Sequence, residues 1–186
     1  MFDRVSRFMS EQSDRSRPVA FRLAALSLGT PVFLIVIPFL LGVVARAAAS
    51  PIPVAVPRVL EMAVGVSSLC FGLGLLAWSL LAFWLIGKGT PVPIAAPQKL
   101  VVRGPYRYSR NPIELGAILY YLGLGCLFLS FTAGLIMFLA GLVFGSVYHK
   151  FVEEPELHMR FGTDYDDYKK RVPFLIPRPW RKYTDT

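Results

Sequence analysis

Apolar residues run along this chain in long uncharged stretches, and those stretches set out its elements. From Leu23 to Ala45 no charge occurs in 23 residues, and from Met62 to Ile86 none occurs in 25. Coiled as a helix at about 1.5 Å per residue, either run is long enough to cross a hydrocarbon layer about 30 Å thick. Between them, Pro51, Pro53 and Pro57 mark a non-helical connector. A third run, Ile113 to Val147, holds 35 residues and one charge, Glu114, and is interrupted near its middle by Ser130, Phe131 and Thr132. Too long for one crossing and slightly short for two, it predicts a tight hairpin of two helices of about 16 to 18 residues each. The pattern therefore predicts an all-α integral membrane protein with four transmembrane helices. Residues 1–22 form a polar tail, 23–86 hold two spans, and 113–148 form the hairpin. Ala47 to Ala49 resemble a weak cleavage site, but the run before them is long enough to span and is expected to be retained.

Composition agrees. Hydrophobic residues make up 54% of the 186 and charged ones 17%, and the mean hydropathy is +0.51, outside the soluble norm. The net charge of +8 comes from basic residues beside apolar runs, which points to anionic lipid headgroups and away from nucleic acid. Lys88, Lys99, Arg103, Arg107 and Arg110 fall between residues 87 and 112 with no acid, whereas the hairpin tip has no charge. The positive-inside rule then puts this loop and both termini in the cytosol. Arg4, Arg7, Arg15, Arg17 and Arg22 of the N-terminal tail agree, and Arg46 and Arg58 on the other side are too few to reverse the assignment. Cys70 and Cys126 sit inside apolar runs without His or Asp nearby, so they are read as packing residues and no metal site is expected. There is no P-loop, dinucleotide-binding glycine fingerprint or zinc-protease helix. Oligomeric state leaves no mark in the sequence.

The candidate chemistry lies in the polar segments flanking the hairpin. A tight hairpin brings its ends together, so residues 98–114 and 148–180 are expected to meet at the cytosolic face. Gly104-Pro105 marks a turn, and Asn111-Pro112 starts a helix whose free backbone donors could receive a carboxylate. Tyr106 and Tyr108 fit either a pocket wall or an interfacial aromatic belt. Glu114, in the first turn of a membrane helix, fits either a functional group or a partner of the helix dipole at headgroup depth. After the hairpin, His149 and Glu153 share a helix face, either to orient a nucleophile, to bind a cation such as a sulfonium, or as a plain surface pair. Leu157 to Val172 reads as an amphipathic helix interrupted near Gly162, with Phe161, Tyr165 and Tyr168 on the membrane or over a pocket. Pro173, Pro177 and Pro179 end regular structure, and Arg178, Trp180, Arg181 and Lys182 form a basic aromatic anchor.

The motif Gly104-Pro-Tyr-Arg-Tyr-Ser-Arg-Asn-Pro112, a helical hairpin, and then Glu153-Glu-Pro-Glu-Leu-His-Met-Arg-Phe-Gly-Thr-Asp-Tyr-Asp-Asp-Tyr-Lys-Lys-Arg-Val-Pro173 follow one another in this chain. Together they resemble the isoprenylcysteine carboxyl methyltransferase family and its phospholipid methyltransferase relatives, over residues 88–180. The resemblance implies a methyltransferase-like core at 87–186 that uses S-adenosylmethionine to methylate a lipophilic or membrane-associated acceptor. It implies that Gln98, Lys99, Leu100 and Val101 line the adenosine side and that Tyr106 packs on the cofactor. Asn111, Pro112, Ile113 and Glu114 would occupy the stretch the family writes as His-Pro-x-Tyr, and Glu153 would hold the cofactor's ribose or amino-acid end. His149 falls where the family places an arginine near the substrate; His149 and Arg110 are the catalytic candidates, with Glu154 beside His149 at the acceptor. Asn111 in place of His keeps hydrogen-bonding capacity but loses a titrating proton, which leaves no base at that position. Two other readings stay open: a membrane reductase with the Tyr-Arg-Pro loops of sterol reductases, and a non-catalytic lipid-binding scaffold.

Overall fold

The computed structural model describes residues 18–51 and 54–177, together with the isolated positions 7 and 10. Of the tail residues named above, Arg4, Arg15, Arg17, Arg178, Pro179, Trp180, Arg181 and Lys182 lie outside the described residues. The described residues form five helices and no strand: α1 (Val19–Ala49), α2 (Arg58–Leu85), α3 (Pro112–Phe128), α4 (Phe131–Tyr148) and α5 (Glu154–Arg171). Short 3-10 turns at Pro93–Ala95 and Gly104–Arg107 punctuate the loop between α2 and α3. α1, α2 and the helical run Phe131–Arg171, which is kinked at Gly162 (φ 51°), are each long and apolar enough to cross a membrane, and α3, at 17 residues, is shorter.

The hairpin breaks where its sequence turns polar. α3 has 17 residues and α4 has 18, the lengths expected of the run. Leu129 and Ser130 return their N–H groups to the Gly125 carbonyl, both at 3.0 Å, and the Ser130 hydroxyl accepts the Ala133 N–H at 3.1 Å, capping α4. Arg58 donates to the Leu127 carbonyl at 3.3 Å and pairs with Glu61 at 2.7 Å, so the open end of α3 has a side-chain donor.

Packing divides the chain into two compact units. Of the described residues, the first gathers those up to Gly29, Ala77–Pro112 and those from Ser146 on; the second comprises those within Thr30–Leu76 and Ile113–Gly145.

The second unit is apolar helix, and glycine sets its packing. A Cβ added to Gly72 would meet the Tyr120 nitrogen at 2.6 Å and the Gly116 carbonyl at 2.7 Å. One turn-pair along, a Cβ on Gly123 would meet the Leu69 nitrogen at 2.8 Å and the Gly65 carbonyl at 2.9 Å. Gly65 and Gly72 are seven residues apart, as are Gly116 and Gly123, so each pair lies on one stripe of its helix. Backbone thus meets backbone along α2 and α3, the close approach that membrane helices use in place of a hydrophobic driving force.

Two prolines widen the helices they follow. Pro38 has no N–H to return to the preceding turn, and its ring crowds the carbonyl four residues back. Val32–Val36 accordingly form a π turn, in which the Ile37 N–H reaches back to the Val32 carbonyl. Two carbonyls of this turn find side chains instead: the Tyr120 hydroxyl donates to Leu34 O at 2.9 Å and the Tyr121 hydroxyl to Phe33 O at 3.2 Å. The same device recurs at His149–Glu153, where the Glu154 N–H reaches back to the His149 carbonyl just before Pro155. Replacing both Tyr120 and Tyr121 with Phe should leave those two carbonyls without donors at a cost of about 1–3 kcal/mol each. Thermal unfolding in detergent checks this, at roughly 2–4 °C per kcal/mol for a chain of this size.

Candidate active site

The first unit carries the polar groups. Its loop begins with Lys88 at a positive φ of 53° and is pinned by the Gln98 N–H, which donates to the Gly87 carbonyl at 2.8 Å. From there the chain runs extended, and successive side chains alternate between two small cores. Val101 packs with Ala82, Phe83 and Tyr106, while Leu100 and Val102 pack with Tyr165, Tyr168 and Val172 of α5 and the residue after it. Lys99 is exposed, and the Gln98 amide donates to its neighbour's carbonyl, Ala96 O, at 3.3 Å. Of the four residues assigned to an adenosine-binding edge, Leu100 and Val101 thus spend their side chains on packing.

Gly104 then turns the chain with a φ of +64°, in the left-handed region where a side chain is strained, and a Cβ there would meet the Trp78 indole nitrogen at 3.4 Å. The turn buries Tyr106, whose ring stacks on Phe83 at 4.8 Å between centroids. Its carbonyl accepts the Tyr168 hydroxyl at 2.7 Å. Burial first, and then the charge of Glu153, push the Tyr106 phenol well above its ordinary pKa, so it stays neutral.

Several contacts bring this loop and the acidic start of α5 together. Arg110 donates to the Glu154 carboxylate at 2.6 Å and to the Tyr165 hydroxyl at 3.3 Å, with its guanidinium over the Phe174 ring at 5.6 Å. Glu154 is also paired with Lys169. Arg110 and Glu154, expected at the reaction and at the acceptor, are therefore bonded to each other, with side chains only 10% and 13% exposed. Arg160 pairs with Glu156 at 2.9 Å and also donates to the Pro97 carbonyl, tying α5 to the start of the loop. The Asn111 amide donates to Phe174 O at 2.9 Å, and the Arg110 N–H donates to Pro173 O at 2.9 Å, so the segment after α5 is latched to the residues before Pro112. That latch uses the amide which stands in place of the family's His.

His149 and Glu153 form an ion pair inside the π turn. Burial pushes the Glu153 carboxyl up, but the His149 charge and hydrogen bond outweigh it and hold the group below its ordinary value. Pro112 is buried at the first position of α3. Ile113 and Glu114 belong to the second unit, where Glu114 is 4% exposed. A Cβ on Gly145 would meet the Glu114 carboxyl oxygen at 2.8 Å, so a glycine on α4 makes room for that carboxylate.

The sequence marks Arg107 only through its charge and the motif that contains it. Its guanidinium lies 5.6 Å from the Tyr108 ring, its Nε is buried, and among the described residues no acceptor meets that nitrogen. Its place in the 3-10 turn after Gly104 is the signal that was present in the sequence.

Over 82 residues the chain is 38% identical to a protein of Bradyrhizobium diazoefficiens described as methanethiol S-methyltransferase 2. That stretch is 43% of this chain and 30% of the relative, so the match spans less than a third of the relative's length. No solved structure matches. The family described as phospholipid methyltransferase matches residues 60–164, over half of the chain, including the loop, the hairpin and the acidic start of α5. With three helices apolar enough to span a bilayer, this integral membrane protein belongs to the phospholipid methyltransferase family.

Proposed function

We propose that the protein is a four-span membrane enzyme that uses S-adenosylmethionine to methylate a lipophilic or membrane-dissolved acceptor. In this reading α3 completes the hairpin crossing, residues 87–186 are the catalytic core, and the 87–112 loop and both termini face the cytosol. The observation that carries it is the joining of the Gly104–Asn111 loop to α5 at both its ends, through Arg110 and Glu154 at its start and through Tyr106 and Tyr168 near its close. Family membership sets methyl transfer above the reductase and scaffold readings.

The donor set suits the cofactor. Glu153 is an anion held ionised by His149, Tyr106 offers an aromatic edge beside it, and the buried Nε of Arg107 lacks an acceptor among the described residues. Glu153 and Tyr106 would hold the cationic and ribose end, Arg107 the carboxylate, and the backbone of Gln98–Val101, with exposed Lys99, the adenosine side. The chain at Asn111 and Pro112 would border the same end. When bound, S-adenosylmethionine supplies an electrophilic methyl carbon on a positively charged sulfur. The protein's task is alignment more than acid or base work. Glu153 gives fixed negative charge, Tyr106 stays neutral, and Asn111 has no proton to exchange near neutral pH. His149, which positions Glu153, and Glu154 border the acceptor, and Arg110 holds Glu154 in place. The relative's description adds a small apolar thiol to the acceptor class.

Equilibrium binding of S-adenosylhomocysteine to the purified protein tests the cofactor, and uptake of methyl label from radiolabelled cofactor into a total lipid extract or added thiols tests the acceptor. No binding at millimolar ligand would overturn the reading. The pH dependence follows from Glu153. Its folded pKa is lowered, so its contribution is complete above the ordinary carboxylate range and is lost as pH falls through the lowered value. Affinity for S-adenosylhomocysteine should therefore stay level, on this group's account, from neutral pH down to about pH 5 and fall only below that. A titration monitored by calorimetry checks it.

A further inference from the structure

The second unit contains a cleft that the proposed reaction does not use. It lies at the tip end of the hairpin, has a volume of about 890 Å³, and is walled by Val43, Phe128 and Leu129, with Arg46, Ser50 and Thr132 at its polar positions. Arg46 is in the last turn of α1, where a cation suits the helix dipole. It is exposed and has no hydrogen bond or ion pair with any described residue. Among the described residues no carboxylate lines the cleft, and Glu61 at the start of α2 is taken by Arg58.

We propose that this cleft seats the headgroup of an anionic phospholipid, with the Arg46 guanidinium on its phosphate and Phe128 and Val43 against the first methylenes of its acyl chains. Three features select this occupant. α1 ends at Ala49 and α3 at Phe128, so the cleft opens at the ends of apolar helices, beside Arg46 and the hydroxyl residues Ser50, Ser130 and Thr132, a setting that suits the depth of lipid phosphates. Its volume falls in the range that encloses a small organic group. It offers a cation and hydroxyls but no anion, so a lipid with net negative charge is favoured over one whose own ammonium would go unmatched.

The test is native mass spectrometry of the detergent-purified full chain with phosphatidylglycerol or phosphatidylcholine of identical acyl chains. Phosphatidylglycerol adducts should exceed phosphatidylcholine adducts by roughly five- to tenfold, the worth of about one basic residue at a membrane surface. Arg46→Gln should erase that preference, and Arg58→Gln, which removes an equal charge already matched by Glu61, should leave it. Ala47→Trp, which fills the cleft while keeping Arg46, should also lower phosphatidylglycerol retention. Equal adducts of the two lipids, an undiminished preference in Arg46→Gln, undiminished phosphatidylglycerol retention in Ala47→Trp, or an equal loss in Arg58→Gln would each overturn the proposal.

Discussion

Leucine at Gly72 should be the most damaging single change in the apolar half of the protein, and leucine at Gly74, two residues on, should be nearly silent. The contrast is geometric. A Cβ at position 72 would lie 2.6 Å from a backbone nitrogen and 2.7 Å from a backbone oxygen of α3, whereas one at 74 meets nothing within 4 Å. Backbone in a packed helix cannot yield as a flexible side chain does, so α2 and α3 must separate along the Gly65–Gly72 and Gly116–Gly123 stripes. Overpacking of this kind costs at least about 1–3 kcal/mol, and separation also exposes the tyrosine bonds on the far side of α3. The expected result for Gly72→Leu is a melting temperature in detergent lower by roughly 5–10 °C, or failure to purify as a single species. Equal melting of the Gly72→Leu and Gly74→Leu variants would show that the stripe is not a packing seam.

The second large effect separates two adjacent glutamates. Glu153→Gln keeps shape and removes charge; if that charge faces the cofactor, affinity for S-adenosylhomocysteine should fall by about 10- to 100-fold, the range of a charge-assisted hydrogen bond. Glu154→Gln should do the reverse. It takes the carboxylate from Arg110, whose side chain is 10% exposed, and leaves a guanidinium poorly hydrated. Stability should drop by about 1–3 kcal/mol, less than for a fully buried pair because Glu154 is partly reached by water. Cofactor affinity in Glu154→Gln, measured well below its melting temperature, should change only a few-fold. Loss of affinity in Glu154→Gln with none in Glu153→Gln would move the binding role one residue along the chain.

What was legible in the sequence followed from strong local patterns. Uncharged runs of 23 and 25 residues declare helices by length alone, and Ser130 in an apolar stretch declares a break because its hydroxyl can cap a helix start. His149 and Glu153 could be paired on paper because helical spacing joins them. Arg110 and Glu154 could not, since 44 residues separate them and only the folded chain brings them together. Asn111 looked like a lost function against the family pattern, and its bond to Phe174 O gives it a structural use that no motif announces. The glycine stripes were invisible for a different reason. In a run already rich in small apolar residues, glycine reads as filler until a second helix is seen against it.

The prolines at 38 and 155 also change how the surface of each helix should be mapped. A π turn holds one residue more than the α turn it replaces, and each residue advances a helix by about 100°. A helical wheel drawn straight through Val19–Ala49 therefore loses phase near Pro38, and residues beyond it point roughly a quarter-turn away from where the wheel sets them. Crosslinking or spin-label scans along α1 should be indexed separately on the two sides of that proline, and scans of Phe131–Arg171 separately before Pro155, between Pro155 and the kink at Gly162, and beyond it.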